Sequence, residues 1–121
     1  MTTHNPQLID ISNIDQAKQA INEIGSDPQS FNIMAPKMVS KVIRFDDVHM
    51  QDAIIIKQDM LSIGGEVAVS QHCFDLQEDP SSILISGTIA QLQQLVEKLK
   101  RHYKRLQEFA IELEEIIQTV I

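Results

Sequence analysis

From Thr88 to Ile121 the chain contains neither glycine nor proline, and its apolar residues repeat with a period of seven. Leu92, Leu99, Leu106, Leu113 and Val120 mark the repeat. Leu95, His102, Phe109 and Ile116 follow three places later, and Val96, Tyr103, Ala110 and Ile117 four places later. Residues at these spacings share one face of an α-helix, so the pattern predicts a long helix with a sustained apolar seam. A continuous helix of this length reaches about 50 Å at ~1.5 Å per residue, longer than the small domain it leaves. Either the helix breaks near residues 101–104 and folds back as a hairpin, or the seam meets another chain. Fold-back asks for a turn, and no turn former stands there. The expectation is therefore a homo-oligomer joined through Leu92, Leu99, Leu106, Phe109, Leu113 and Ile116. His102, at a seam position, marks a bend or a polar register device.

The rest of the chain reads as one small α+β domain. A length of 121 residues supports a single core. Residues 1–7 form a flexible tail, 8–87 the core domain, and 88–121 the helical element. Residues 8–11 are a short strand candidate. Ser12, with Asp15 three places on, caps a helix carrying Ile14, Ala17, Ile21 and Ile24, and Gly25 stops it. Residues 31–36 read as irregular, and 41–45 as strand. Asp46 or Asp47 caps the next helix, whose stripe is Ala53, Ile56, Met60 and Ile63. Gly64-Gly65 ends it, 66–70 return as strand, and 71–82 form a long acidic hairpin loop. Residues 83–85 are a buried strand, 86–88 a turn, and Thr88 caps the last helix. This order predicts a two-layer α+β sandwich. A small mixed sheet of about four strands is covered by helices, with parallel pairing across the crossover helix and a long C-terminal helix.

Formal net charge is −7, which disfavours nucleic-acid and anionic-membrane partners, since both require basic surface. The basic run at 98–105 reads as a solvated helical face. No apolar run approaches the roughly 20 residues of a membrane helix, and no signal segment is visible, so the expected compartment is the cytoplasm. Cys73 is the single cysteine and has no intrachain disulfide partner. His4, His49, His72 and His102 are scattered, without metal-ligand spacing, so no metal and no cofactor is expected.

Few residues invite a chemical role. Lys57 and Gln58 point away from the apolar stripe and read as a solvated face; as a binding pair, Gln58 offers both donor and acceptor. Gly64 and Gly65 follow a helix and precede a strand, the wrong polarity for a phosphate cradle. Gly87 and Thr88 have the right polarity, strand into helix start, and offer amides to an anion or simply cap. Asp46 and Asp47 are adjacent and point apart, and no catalytic residue is assigned.

One longer stretch carries a resemblance. "MAPKMVSKVIRFDDVHMQDAIIIKQDMLSIGGEVAVS" followed by "ILISGTIAQLQQLVEKLK" resembles a segment preceding the barrel in a subset of dihydropteroate synthases. There a run close to L-K-Q-E-M-L-S-x-G-G-E-A-A-V leads to an apolar strand, a Gly-Thr turn and a helix ending in K-L-K. The resemblance covers residues 34–100 and departs from the pattern at Ile54, where an Asn is expected. Family members continue past K-L-K into a TIM barrel that carries the pterin site, the phosphate site and the catalytic groups; here the sequence runs on as helix. The resemblance implies a non-catalytic binding or assembly module, accessory to or regulating pterin and folate-type biosynthesis, acting beside a separately encoded synthase barrel. The other implied reading is a pterin-like ligand site or small enzyme using Lys57 and Gln58, lined by Gly64, Gly65, Gly87 and Thr88.

Overall fold

Alternation along the strands decides which face of the sheet is buried. In β1 (Ser40–Val48), Ile43 and Phe45 face inward while Val42 and Arg44 face solvent. β3 (Ser81–Thr88) buries Ile83 and Ile85, and β2 (Glu66–Ala68) buries Val67. A computed structural model, describing residues 3–73 and 79–121, orders these strands β1-β3-β2, with β3 antiparallel to both neighbours. Ile43 and Val67 both lie opposite Ile85, forming one apolar row across the sheet.

α3 (Met50–Ile63) connects β1 to β2, which run the same way but are not neighbours. The expected parallel pair in a mixed sheet of about four strands is thus corrected, among the described residues, to three strands, each antiparallel to the next. β3 separates the other two because it pairs with β2 along one edge and has the length to pair with β1 along the other. Residues 8–11 lie outside the sheet. Part of the predicted loop at 71–82, and the first two residues of the predicted tail, lie outside the described residues.

Helix starts differ from expectation by small, explicable shifts. α1 (Ile14–Ile24) is capped by Asn13, whose Oδ1 accepts the Gln16 N–H at 2.8 Å. Ser12 instead donates its N–H and its hydroxyl to Gln16 Oε1, so the expected box on Ser12 and Asp15 is replaced by an Asn13 cap with Gln16 reaching back to the residue before it. The expected irregular stretch is helical: α2 (Phe31–Met34) sits between the 3₁₀ turns Pro28–Ser30 and Ala35–Lys37. Neither Asp46 nor Asp47 caps α3. Pairing of Val48 with Ser81 prolongs β1 past both of them through a bulge, and His49 takes the cap position.

The C-terminal region is two helices, not one. α4 (Ile89–Leu99) and α5 (Lys104–Val120) pack together, with residues 100–103 reversing the chain. Leu92, Leu95 and Leu99 of α4 and Leu106 and Leu113 of α5 are fully buried in the common core. Lys100 closes the hairpin with an ion pair to Glu114 at 3.1 Å. Phe109 turns toward the sheet, its ring 4.4 Å from that of Phe45. The seam Leu92, Leu99, Leu106, Phe109 and Leu113, expected to face a second copy, is consumed inside one chain; only Ile116 stands at its exposed edge.

Leu113→Ala is expected to cost about 2–5 kcal/mol, the range for emptying a closed core site. Ile111→Ala, half exposed on the same helix, is expected to cost within about 1 kcal/mol. Urea denaturation of the two variants checks the contrast.

Candidate functional site

The segment carrying Lys57, Gln58, Gly64 and Gly65 builds the corner between α3 and β2. Gly64 ends α3 with φ 103°, a left-handed conformation that side chains resist, and donates its N–H to the carbonyls of Met60 and Leu61. Beyond it, a methyl group added at Gly65 would meet the Met60 thioether and lie 2.9 Å from the Ser86 carbonyl oxygen. Gly87, across the sheet, meets the same thioether. Met60 is fully buried, so both glycines are small because a sulfur side chain passes between α3 and the sheet there. Lys57 Nζ donates to Glu66 Oε1 at 2.9 Å and to the Val67 carbonyl at 2.6 Å, fastening α3 to the start of β2. The Lys57 ammonium and the Val67 N–H hold the Glu66 carboxyl below its usual range.

Thr88 and Gln91 cap α4 reciprocally. Thr88 Oγ1 accepts the Gln91 N–H at 3.1 Å, and Gln91 Oε1 accepts the Thr88 N–H at 2.9 Å. A shallow hollow of about 400 Å³ brings Gly64, Gly65, Gly87 and Thr88 together with Ser40, Glu66, Ser86 and Gln91. Lys57 and Gln58 do not line it; Gln58 is exposed on the outer side of α3. Four of the six sequence-predicted binding residues therefore converge; of the three polar side chains among the six only the Thr88 hydroxyl joins them, and it is already engaged in its cap.

A second polar site lies at the other end of α3. Asp52 is buried, and both its oxygens are taken. Arg105 donates Nε to Oδ2 at 2.9 Å and Nη2 to Oδ1 at 2.8 Å, while the Tyr103 hydroxyl also donates to Oδ1. Burial pushes the Asp52 carboxyl up, but the bonds from Arg105 and Tyr103 outweigh it and hold the group below its usual range. Burial and the neighbouring Asp52 raise the Tyr103 phenol. About two turns along α3, Asp59 Oδ2 lies 2.9 Å from His102 Nε2. The residues that reverse the chain between α4 and α5 are therefore clamped to α3 at two points.

Beside the clamp, a cleft of about 330 Å³ opens where β1 ends. The bulge puts Asp47 at φ 55° on its wall. Asp46 accepts from Ser82 at 2.6 Å and pairs with Arg44 at 2.9 Å, and these two contacts lower its carboxyl. Glu108 and Glu112 also line it. The cleft holds both signs of charge, with its guanidinium groups already paired. Among the described residues, no three His, Cys, Asp or Glu side chains converge as metal ligands would. Cys73 is buried against the Met50 carbonyl, and burial pushes its thiol up, away from the reactive thiolate. The sequence held a signal for the clamp: an aspartate one place from the Ala53/Ile56/Met60 stripe, and a run His102-Tyr103-Lys104-Arg105 supplying its partners.

A bifunctional dihydropteroate synthase/dihydropteroate reductase from Helicobacter pylori is 28% identical to this chain over 101 residues. The aligned stretch is 84% of this chain, and the chain spans about a quarter (27%) of that protein's length. The relationship is distant and partial. No family model and no solved structure matches. No helix of the described residues is long and apolar enough to cross a membrane.

Two outcomes are expected. Gly65→Ala should lower stability by about 1–3 kcal/mol in urea titration, as the Ser86 carbonyl cannot yield as a flexible side chain would. Asp52→Asn should cost about 1–3 kcal/mol at neutral pH, the lower part of the buried-pair range because Arg105 is half exposed. The lowered Asp52 value makes its contribution complete above about pH 4 and lost as pH falls through the folded value. The Asn variant should therefore show a flatter acid limb in stability against pH.

Proposed function

We propose that this chain is a pterin-pathway module, the counterpart of the part of a dihydropteroate synthase that lies outside its barrel, and that it works by binding beside a separately encoded synthase barrel. The observation that carries this reading is the uneven coverage of the Helicobacter similarity, most of this chain against about a quarter of the relative. The geometry supports it: Lys57, Met60, Gly64 and Gly65, which carry the resemblance, are engaged in joining α3 to the sheet. On this reading, the residues that carry the resemblance serve as scaffold. The role expected of such a scaffold is to present a surface.

A second reading is favoured by the relative's own description, which names a reductase beside the synthase. If the barrel carries the synthase chemistry, the remaining part is where the reductase step belongs, and this module would then contribute to reduction of dihydropteroate. Such a step needs a hydride donor, a reduced nicotinamide or flavin.

Mixing the purified chain with dihydropteroate synthase from the same genome tests the first reading. Co-sedimentation and an altered synthase rate are expected; separate migration with an unchanged rate contradicts it. Dihydropteroate offered with reduced nicotinamide or flavin tests the second: turnover above the protein-free background supports it, and none with or without the synthase contradicts it.

A further inference from the structure

The N-terminal end of the molecule carries an apolar groove of about 330 Å³ walled by Ile9, Ile11, Ile21, Ile24, Met34 and Met38, with Ser26 its one polar lining residue. Among the described residues no charged side chain lines it. Its walls stand open to solvent: Ile24 is 83% exposed, Ile9 61% and Met38 47%. Leu8 is fully exposed, and it precedes the groove wall by one residue in a segment that belongs to no sheet. A projecting aliphatic knob thus adjoins an aliphatic hole on the same molecule.

We propose that this face is a self-association surface, in which Leu8 of each copy seats in the groove of the other about a two-fold axis. Such a patch is self-complementary, as an isologous contact requires, because it carries both the knob and the hole. Its extent fits. The four exposed side chains Leu8, Ile9, Ile24 and Met38 amount to on the order of 400 Å² of apolar surface, the size of the largest patch on a monomer, which is often functional. A standard dimer interface buries roughly 800 Å² per partner, about 65% of it apolar in homodimers, so the patch supplies most of the apolar part. Charge points the same way. Two copies each bearing −7 repel, and a groove lined by no ionised group is where they approach at least cost. This surface is separate from the α4–α5 seam, which is closed within the chain, and the inference does not rest on the pterin reading.

Sedimentation velocity of the full chain from micromolar to millimolar concentration tests it. The mass is expected to rise from one chain to two, and added salt should favour the pair by screening the repulsion. Leu8→Asp and Ile24→Glu, both at exposed positions, should leave the circular-dichroism melt unchanged and weaken pairing by about tenfold or more. A single chain at every concentration overturns the proposal, and so does pairing that survives both variants. Loss of pairing in Ile116→Glu, with Leu8→Asp still paired, would move the interface to α5 and equally overturn it. A patch needed only for binding the synthase barrel, with the chain alone always single, does the same.

Discussion

A buried carboxylate is tolerated only where donors meet its oxygens, and Asp52 sets that condition on the inner side of α3. Its partners, Tyr103 and Arg105, come from the link between α4 and α5 and from the first turn of α5. Satisfying Asp52 therefore fixes where the C-terminal region reverses direction. Once it reverses, leucines spaced by seven along the sequence face one another across the hairpin rather than a second chain. His102 against Asp59 and Lys100 against Glu114 hold the same reversal from two further sides.

At the opposite end of α3 the governing constraint is steric. Met60 passes between helix and sheet, and the absence of side chains at Gly65 and Gly87 makes room for it. The left-handed turn at Gly64 and the Lys57 bridge to Glu66 and Val67 then deliver the chain into β2. α3 is thus anchored at one end by charge and at the other by close packing. The surfaces left available lie elsewhere: the outer face of the sheet, the cleft beside the β1 bulge, and the apolar N-terminal groove.

Local signals read well from sequence where the backbone itself enforces them. The stop at Gly64, the cap at Thr88, the apolar stripe of α3 and the buried core of β3 follow from chemistry within a few residues. Features set by distant partners did not read as well. Of the two readings open for the Gly- and Pro-free stretch, the observed one is the break near 101–104; the sequence tipped toward the other because the agents that fix the break, Asp52 and Asp59, lie some fifty and forty residues earlier in the chain. Strand order escaped for a related reason: β1 pairs with β3, from far along the chain, and the same pairing carries β1 past the two aspartates that looked like a helix cap. Of the proposed binding residues, the glycines and Thr88 converge, while the lysine chosen for its chemistry is engaged in a structural bridge that alternation alone does not reveal.

The central claim is that the polar clamp on α3 folds the C-terminal stretch back on itself. Spin labels at Gln93 and Gln118, both exposed and both lining the hollow between α4 and α5, measure this directly by electron–electron dipolar coupling. A closed hairpin packs its helices with axes about 8–10 Å apart and predicts a short separation dominating the distribution. A separation near 38 Å, the rise of one uninterrupted helix at ~1.5 Å per residue, would contradict it.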